Sequence, residues 1–422
     1  MKNWLKAALA GAAVMLSALP AAAQPATNDI VFYYYAISPA QSAAMTTLIG
    51  KFEAENPGLK MRPVVKNFQT LNAEIKVALV ANQPPDVGMI VTQSIADMVE
   101  NAKAIPFDRD PSSKEFMTRF FPTLRGLGDY KGTTYLMPFA HGMALLYYNK
   151  DLMQKAGLNP AMPPRRWDDL IVQAKIVQEK TSKFGLFALG SDSDWNAQTL
   201  LIAGGANILD PAGKKFVFDS PEGIAAMQAW QDGIVKHKIQ PMLASGQSNQ
   251  AFASGNLGFT VTTSGMLLSL TGDKKPPFEL GVTTMPTIGS GKGQVPNSGA
   301  GLMVFSQDAA RQKNAFKFLE FMSRRENSNF WSMSTGYMST AADPKADPAM
   351  QAYLQVNPHY GALIDAMPTV VPKAAYPGDR SADLQNLITT MLADLIANKG
   401  TAAQIVPARA KEMNAILAAS QM

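Results

Sequence analysis

The sequence contains no cysteine among its 422 residues. Disulfide bonds, thiolate metal ligands and a cysteine nucleophile are therefore excluded, and so is a lipid anchor on an amino-terminal cysteine. A chain of this length without disulfides has to be stabilised by buried apolar side chains. Its length suits two lobes of ordinary domain size rather than one small core.

Histidine is scarce, and the common catalytic motifs are missing. His141, His237 and His359 are far apart in the sequence, so we expect no metal site and no cofactor. Neither a His-Glu-x-x-His motif nor a Gly-x-Ser-x-Gly nucleophile elbow occurs. We therefore predict a protein that is not an enzyme and has no catalytic residues. A secreted carbohydrate hydrolase that uses Asp192 or Asp194 stays open as the alternative.

Long runs of basic residues and long apolar segments are also missing. The formal net charge is +5, and the basic residues are scattered, so nucleic acid is not an expected partner. After residue 23 we find no stretch of roughly 18 uninterrupted apolar residues, which predicts a soluble mature chain. We expect it to be a monomer.

The amino terminus has the pattern of a signal peptide. Lys2 and Lys6 precede an apolar run, residues 7–19, and this run is too short to cross a bilayer as an anchor. Small residues follow, which predicts that residues 1–23 are removed. Because no cysteine is available for a lipid anchor, we expect the mature protein in the periplasm.

Strand and helix patterns alternate through the first ninety residues. Strands are predicted at 30–35, 59–65 and 86–91, with helices at 41–55 and 69–81. The order βαβαβ predicts an α/β lobe with a parallel sheet.

A long strand-like segment at 135–149 then leads into a second, helix-rich lobe. We place the amino-terminal lobe at 24–137 and 284–331, and the carboxy-terminal lobe at 138–283 and 332–422. Several crossings between two lobes suit hinge closure around a ligand.

Aromatic residues fall at predicted strand ends and turns. Their rings can bind the C–H faces of sugars and polyols, although each also fits a place in the hydrophobic core. Their position at the lobe edges favours ligand binding. These residues are Tyr33, Tyr34, Tyr35, Phe68, Trp195 and Tyr337.

Several segments spread over nearly the whole mature chain carry a family resemblance. The most specific stretch runs from Tyr147–Leu152 through Ala156–Leu158 to Pro163–Leu170. Similar segments lie at 52–58, 82–87, 252–256 and 318–327. Together they resemble the family 1 extracellular solute-binding proteins. That resemblance implies an α/β, two-lobe periplasmic binding protein fold with a hinge, a ligand cleft and the membrane permease of an ABC importer as partner.

Within this family the chain is most similar to the glycerol-3-phosphate-binding proteins, through Trp331–Tyr337, Thr263–Gly265 and Ser298–Gly299. The similarity implies that Tyr337 and Ser264 donate hydrogen bonds to the ligand and that Gly299 allows close backbone approach. It also implies that Trp195 stacks on the ligand and that Arg380 pairs with a phosphate.

Three positions depart from the pattern of those proteins. Phe68 stands where the family has a tyrosine, Thr92 where it has a carboxylate, and His141 where it has a hydroxyl residue. The expected ligand is therefore a sugar, a polyol or a phosphorylated polyol. If the ligand is anionic, His141 should strengthen binding as the pH falls through about 6.5.

Overall fold

The computed structural model describes residues 28–271, 275–378 and 380–419. The predicted signal peptide, residues 1–23, lies outside the described residues. Throughout these three described ranges, no helix combines the length and the apolar character that a membrane span needs.

The strands follow in chain order. They are β1 Asp29–Tyr34, β2 Lys60–Val65, β3 Val87–Val91, β4 Asp129–Tyr130, β5 Thr133–Thr134, β6 Met137–Gly142, β7 Ala144–Asn149, β8 Phe184–Ala188, β9 Leu257–Thr263, β10 Leu280–Thr284, β11 Val295–Pro296, β12 Ser298–Val304 and β13 Val370–Val371.

The α-helices lie between and after these strands. They are α1 Pro39–Glu55, α2 Leu71–Val80, α3 Ile95–Ala102, α4 Ser112–Phe116, α5 Pro122–Arg125, α6 Lys150–Lys155, α7 Trp167–Thr181, α8 Asp194–Ala203, α9 Pro221–Val235, α10 Ser245–Ala253, α11 Leu267–Thr271, α12 Ala309–Met322, α13 Arg325–Thr335, α14 Pro348–Val356, α15 His359–Ala366, α16 Ser381–Ile396 and α17 Ala402–Ala419.

The first lobe is built on a sheet with the strand order β2-β1-β3-β12-β6. β1 runs parallel to β2 and β3, whereas β12 is antiparallel to β3 and β6. The apolar strand β3 lies between β1 and β12, and its first four residues are buried, as expected for a central strand covered on both faces. Ser38 caps α1 by accepting the amide of Gln41, and Phe52 of that helix is fully buried in the core.

The second lobe is built on a sheet with the order β10-β7-β9-β8. β7 is antiparallel to β10 and β9, and β8 is parallel to β9. This sheet has a hydrophobic core of its own, in which Tyr147, Trp167 and Trp230 are almost wholly buried. Two sheets with two separate cores confirm the predicted two-lobe α/β architecture.

The chain crosses between the lobes later than the sequence predicts. β6 belongs to the first sheet and β7 to the second, so the first crossing is at Met143 rather than at residue 137. Val295 still packs in the second core, and the return occurs at Asn297 rather than at 284. β6 continues past residue 137, and the segment after β10 stays with the second core as far as Val295. A strand pattern does not record which sheet receives the strand, so the sequence alone misplaces both boundaries.

Candidate functional site

The candidate site lies where the lobes meet, at one edge of the first sheet. The carboxyl ends of the parallel strands β1 and β3 point to this edge, which is where ligands bind in open α/β sheets. The end of β6 and the start of β12 lie there as well. A third crossing follows Tyr337, since Met338 packs in the second core. We call the first two crossings, Gly142–Ala144 and Pro296–Ser298, the hinge.

Three hydroxyl groups converge on Gly142 in the hinge. A methyl group at Gly142 would lie 2.9 Å from Oγ of Ser298, 3.2 Å from Oγ of Ser264 and 3.4 Å from Oγ1 of Thr263. Thr263 and Ser264 come from the end of β9, and Ser298 begins β12, so the folded chain brings together hydroxyls from both lobes. We call these three residues the hydroxyl cluster.

Ser264 holds the hydroxyl cluster against the first crossing. Its side chain is fully buried, and its Oγ accepts the backbone amide of Met143 at 3.3 Å. The amide of Ser264 in turn donates to the carbonyl of Met143 at 2.8 Å. One lone pair of the hydroxyl is therefore already used by the protein itself.

His141 and Thr92 meet at Asn297, a residue that the sequence analysis missed. The amide nitrogen of Asn297 lies 3.2 Å from Nδ1 of His141 and 3.4 Å from Oγ1 of Thr92. Its Oδ1 accepts the backbone amide of Lys373 at 2.8 Å. Asn297 thus joins two strands of the first sheet to a segment of the second lobe. Nothing in its sequence neighbourhood sets it apart from an ordinary polar turn residue.

Burial keeps His141 uncharged. The side chain is fully buried, and this lowers its pKa to about 4, against a smaller opposite effect of a hydrogen bond to the Ser298 backbone. Its Nε2 has no hydrogen-bond partner among the described residues. The sequence predicts that an anionic ligand binds more tightly as the pH falls through about 6.5. This prediction is wrong, because His141 stays neutral at that pH.

Gly299 lies against the neighbouring strand. Its φ is +132°, and a methyl group on it would lie 1.9 Å from the carbonyl oxygen of Ala140 in β6. Any side chain here would separate β12 from β6. Gly299 therefore allows two strands of the same sheet, β12 and β6, to approach each other closely.

An aromatic cluster of Tyr35, Phe68 and Tyr337 lies on the first lobe. The rings of Tyr35 and Phe68 meet edge to face with centroids 4.9 Å apart, and half of Phe68 is exposed. Tyr337 forms a hydrogen bond with Gln41. Burial raises the pKa of its phenol, and this hydrogen bond offsets part of the rise. Gly336, directly before Tyr337, has φ +79° and approaches Leu268 of the second lobe.

Tyr33 and Tyr34 point to opposite faces of β1 and have partners of their own. Tyr34 points into the first core, where its ring stacks on Phe32 at a centroid distance of 5.1 Å. Tyr33 points to the opposite face, and the ammonium group of Lys66 lies 4.5 Å from its ring centroid. Tyr35, which follows the strand, is the tyrosine of this run that contacts Phe68.

Trp195 lines a cavity on the second lobe. It lies in the first turn of α8, which Ser193 caps, and its Nε1 lies 3.4 Å from the carbonyl oxygen of Pro296 in the hinge. The cavity has a volume of about 380 Å³, and Thr263 and Ser298 of the hydroxyl cluster also line it. Trp195 is therefore beside the hinge, with an aromatic face next to hydroxyl groups.

Within the described ranges, Arg380 makes no contact that places it at the hinge. Its side chain is half exposed and pairs with Asp383, three residues further along α16, at 2.7 Å. A cation that the sequence analysis missed is better buried: Lys373 pairs with Asp194 at 2.7 Å, and both side chains are largely covered.

The two carboxylates of the hydrolase alternative have separate structural partners. Asp192 accepts the hydroxyl of Ser245 at 2.7 Å and the backbone amide of the same residue at 3.2 Å. Asp194 is neutralised by Lys373. A hydrolase needs one free acid and one free base or nucleophile, and this pairing does not support that role.

Comparison with known proteins decides the family. Residues 36–328 match the model of the bacterial extracellular solute-binding proteins. The chain belongs to this family. The curated relatives of this solute-binding protein include the sn-glycerol-3-phosphate-binding periplasmic protein UgpB of Pectobacterium atrosepticum, which is 27% identical over 97% of this chain and 95% of the relative. UgpB of Escherichia coli is 28% identical over 74% of each chain.

Solved structures share the fold of this solute-binding protein. The cyclic alpha-maltosyl-1,6-maltose binding protein of Arthrobacter globiformis has a TM-score of 0.82 at 20% identity and covers 92% of this chain and 98% of its own. UgpB of Mycobacterium tuberculosis, solved with glycerophosphocholine, has a TM-score of 0.78 at 23% identity, covering 92% and 99%. The chain is thus a periplasmic substrate-binding protein of an ABC importer, and the hydrolase alternative is not supported.

Proposed function

We propose that this protein captures a small polyhydroxylated solute, either a sugar, a polyol or a phosphorylated polyol, at the hinge. The observation that carries the proposal is that Thr263 and Ser298 of the hydroxyl cluster line one cavity together with the ring of Trp195. An indole ring packs on the C–H face of a polyol while hydroxyls exchange hydrogen bonds with its OH groups. The names of the relatives at 27–28% identity support a phosphorylated member of this class.

The proposed capture needs no covalent chemistry. Binding across a hinge between two lobes favours a closed form, since the ligand then contacts both lobes at once. The closed form is what the membrane permease would recognise. We further propose that the protein acts as a monomer, without catalytic turnover and without a nucleic-acid partner.

Gly142→Ala tests the proposed site directly. The added methyl group would lie 2.9 Å from Oγ of Ser298 and 3.2 Å from Oγ of Ser264, so these hydroxyls must shift and we expect weaker binding; a thermal melt checks that the variant stays folded. Gly50→Ala is the matched control, because a methyl group at that helical position meets nothing within 4 Å. Isothermal titration with glycerol 3-phosphate, glycerol, glucose and maltose provides the measurement.

Two results would count against the proposal. If the wild-type protein binds none of the four solutes at millimolar concentration, the ligand class is rejected. If Gly142→Ala binds with the affinity of the wild type, as Gly50→Ala should, the hydroxyl cluster is not part of the site.

A further inference from the structure

A second cavity lies at the edge strand of the second sheet, between β10 and α15. It has a volume of about 390 Å³, and residues of both elements line it. In the sheet, β7 separates β10 from β9, whose end carries Thr263 of the hydroxyl cluster. No described residue lines both this cavity and the cavity beside Trp195. We call it the edge cavity.

Two buried hydroxyl groups in the edge cavity lack hydrogen-bond partners. Tyr148 is 6% exposed and Thr283 is 5% exposed, and neither hydroxyl makes a hydrogen bond to the described part of the chain. The ring of Tyr148 lies over Gly281, its partner on β10, where a methyl group would be 2.1 Å from the ring. A buried hydroxyl without a partner costs free energy, which a ligand that accepts a hydrogen bond would offset.

Two cations lie near the hydroxyl of Tyr148. Arg165 lines the edge cavity, and its Nη1 donates to Oγ1 of Thr284 at 3.2 Å. Lys150 also lines it and pairs with Glu279 at 2.6 Å. Burial raises the pKa of the Tyr148 phenol, and the charges of Lys150 and Arg165 act against this rise. Hydroxyl and cationic donors therefore converge on the same space.

The other titratable groups around the edge cavity leave the charge of Arg165 uncompensated. Asp365 lines the cavity but pairs with Lys345 at 3.2 Å. Burial and the charge of Lys150 lower the pKa of His359, so its ring is uncharged at neutral pH. Among the described residues, no carboxylate forms an ion pair with Arg165. The cavity therefore favours an anion.

We propose that the edge cavity is a second binding site, and that it takes a small oxyanion, either a phosphate or a carboxylate. Nε and Nη2 of Arg165 form the edge of the guanidinium group that Thr284 leaves free, and this planar pair of donors fits two oxygens of such an anion. Tyr148 and Thr283 donate their hydroxyls to the anion from the sheet. The site is separate from the hinge, so this inference does not rest on the proposed function.

Arg165→Gln tests the site by removing the cation. The probes are inorganic phosphate and acetate, titrated calorimetrically into the mature protein at constant ionic strength with chloride as the balancing salt. The wild type should bind at least one of them saturably, and Arg165→Gln should bind it at least about 10-fold more weakly, as expected when charge-assisted hydrogen bonds are lost. Arg109→Gln, at an exposed arginine of the first lobe, is the matched control and should bind as the wild type does. The two probes distinguish a tetrahedral from a planar oxyanion.

Tyr148→Phe tests the buried hydroxyl separately. Phenylalanine keeps the ring over Gly281 and removes only the group that has no partner. The variant should therefore bind the oxyanion several-fold more weakly, while its melting temperature without the anion should not fall. Gly142→Ala, which changes the hinge, should bind the oxyanion with the affinity of the wild type. Arg165→Gln should likewise leave the binding of polyol solutes unchanged.

The outcomes separate the edge cavity from the hinge. If the wild type binds neither probe at millimolar concentration, or if Arg165→Gln and Tyr148→Phe both bind as the wild type does, the edge cavity is not an oxyanion site. If Gly142→Ala abolishes phosphate binding and Arg165→Gln retains it, the anion binds at the hinge. That result rejects the second site and leaves the proposed function standing.

Discussion

At the scale of single residues, Trp195 differs from the other tryptophans of the described chain. Trp167, Trp230 and Trp331 are at most 2% exposed, whereas Trp195 is partly exposed in the cavity. A change of intrinsic fluorescence on binding should therefore come from Trp195. The same ring lines the cavity together with Thr263 and Ser298 of the hydroxyl cluster.

Trp195→Ala should weaken ligand binding by about 1–3 kcal/mol, because a stacking contact in a partly enclosed site is lost. Trp195→Phe should retain part of the affinity, and the fluorescence change should disappear in both variants. Calorimetry measures the affinity, and a thermal melt confirms folding. Unchanged affinity in Trp195→Ala would exclude the ring from the site.

His141 makes stability depend on pH in the acid range. Its ordinary pKa of 6.5 is lowered to about 4 by burial. Between these values the unfolded chain binds a proton that the folded chain does not, so stability falls as the pH drops from above 6.5 through 4. For a fully buried group this loss amounts to about 3 kcal/mol.

We expect His141→Gln to reduce the loss of unfolding free energy between pH 7 and pH 4, relative to the wild type, because glutamine does not titrate. Urea unfolding at the two pH values measures the difference. His237→Gln serves as the comparison, since His237 is more exposed, and its pKa is lowered by partial burial and by the nearby Lys175 and Lys236. Equal pH dependence in wild type and His141→Gln would show that His141 titrates normally.

At the scale of elements, the start of α8 is attached to the segment that follows β13. Lys373 pairs with Asp194 in the first turn of the helix, and Gln198, one turn further, accepts the amide of Ala374 at 2.9 Å and donates to Tyr376 at 3.1 Å. Asn297 holds the same segment from the hinge side. The position of Trp195 therefore depends on contacts made by residues nearly two hundred positions later in the chain.

Removing one partner of this covered ion pair should destabilise the protein markedly. We expect Lys373→Met to cost about 3 kcal/mol of unfolding free energy, since Asp194 would be left largely buried without its cation. Arg380→Met, which breaks a half-exposed pair, should cost less than about 1 kcal/mol. Urea unfolding of the two variants gives the comparison, and equal costs would contradict the structural ranking of the two cations.

At the scale of the whole molecule, a ligand at the hinge should couple the two lobes. A ligand at 100 times its dissociation constant stabilises the folded state by about 2.7 kcal/mol, so the melting temperature should rise with ligand concentration. The radius of gyration from X-ray scattering should fall as the cleft closes. Gly142→Ala should show neither change, whereas a rise of the melting temperature in that variant would indicate binding elsewhere.

Local patterns of the sequence were sufficient for the architecture. The helical spacing of Met45, Leu48 and Phe52 and the apolar run before Thr92 predict the helix and the strand that the structure has as α1 and β3, because the period of the apolar residues reflects the face that an element buries. The family segments predicted solute binding, and the match to the family model confirms it. These are properties of short stretches, which a single sequence displays.

The site itself depended on tertiary structure. Thr263, Ser264 and Ser298 meet at Gly142 because two distant crossings lie side by side, and no spacing along the chain encodes that meeting. Tertiary structure also buried His141, which lowered its pKa, and paired Asp194 with Lys373 from a remote segment. Residue type specifies what a side chain can bind, whereas burial and neighbours from remote segments decide whether it is free to do so.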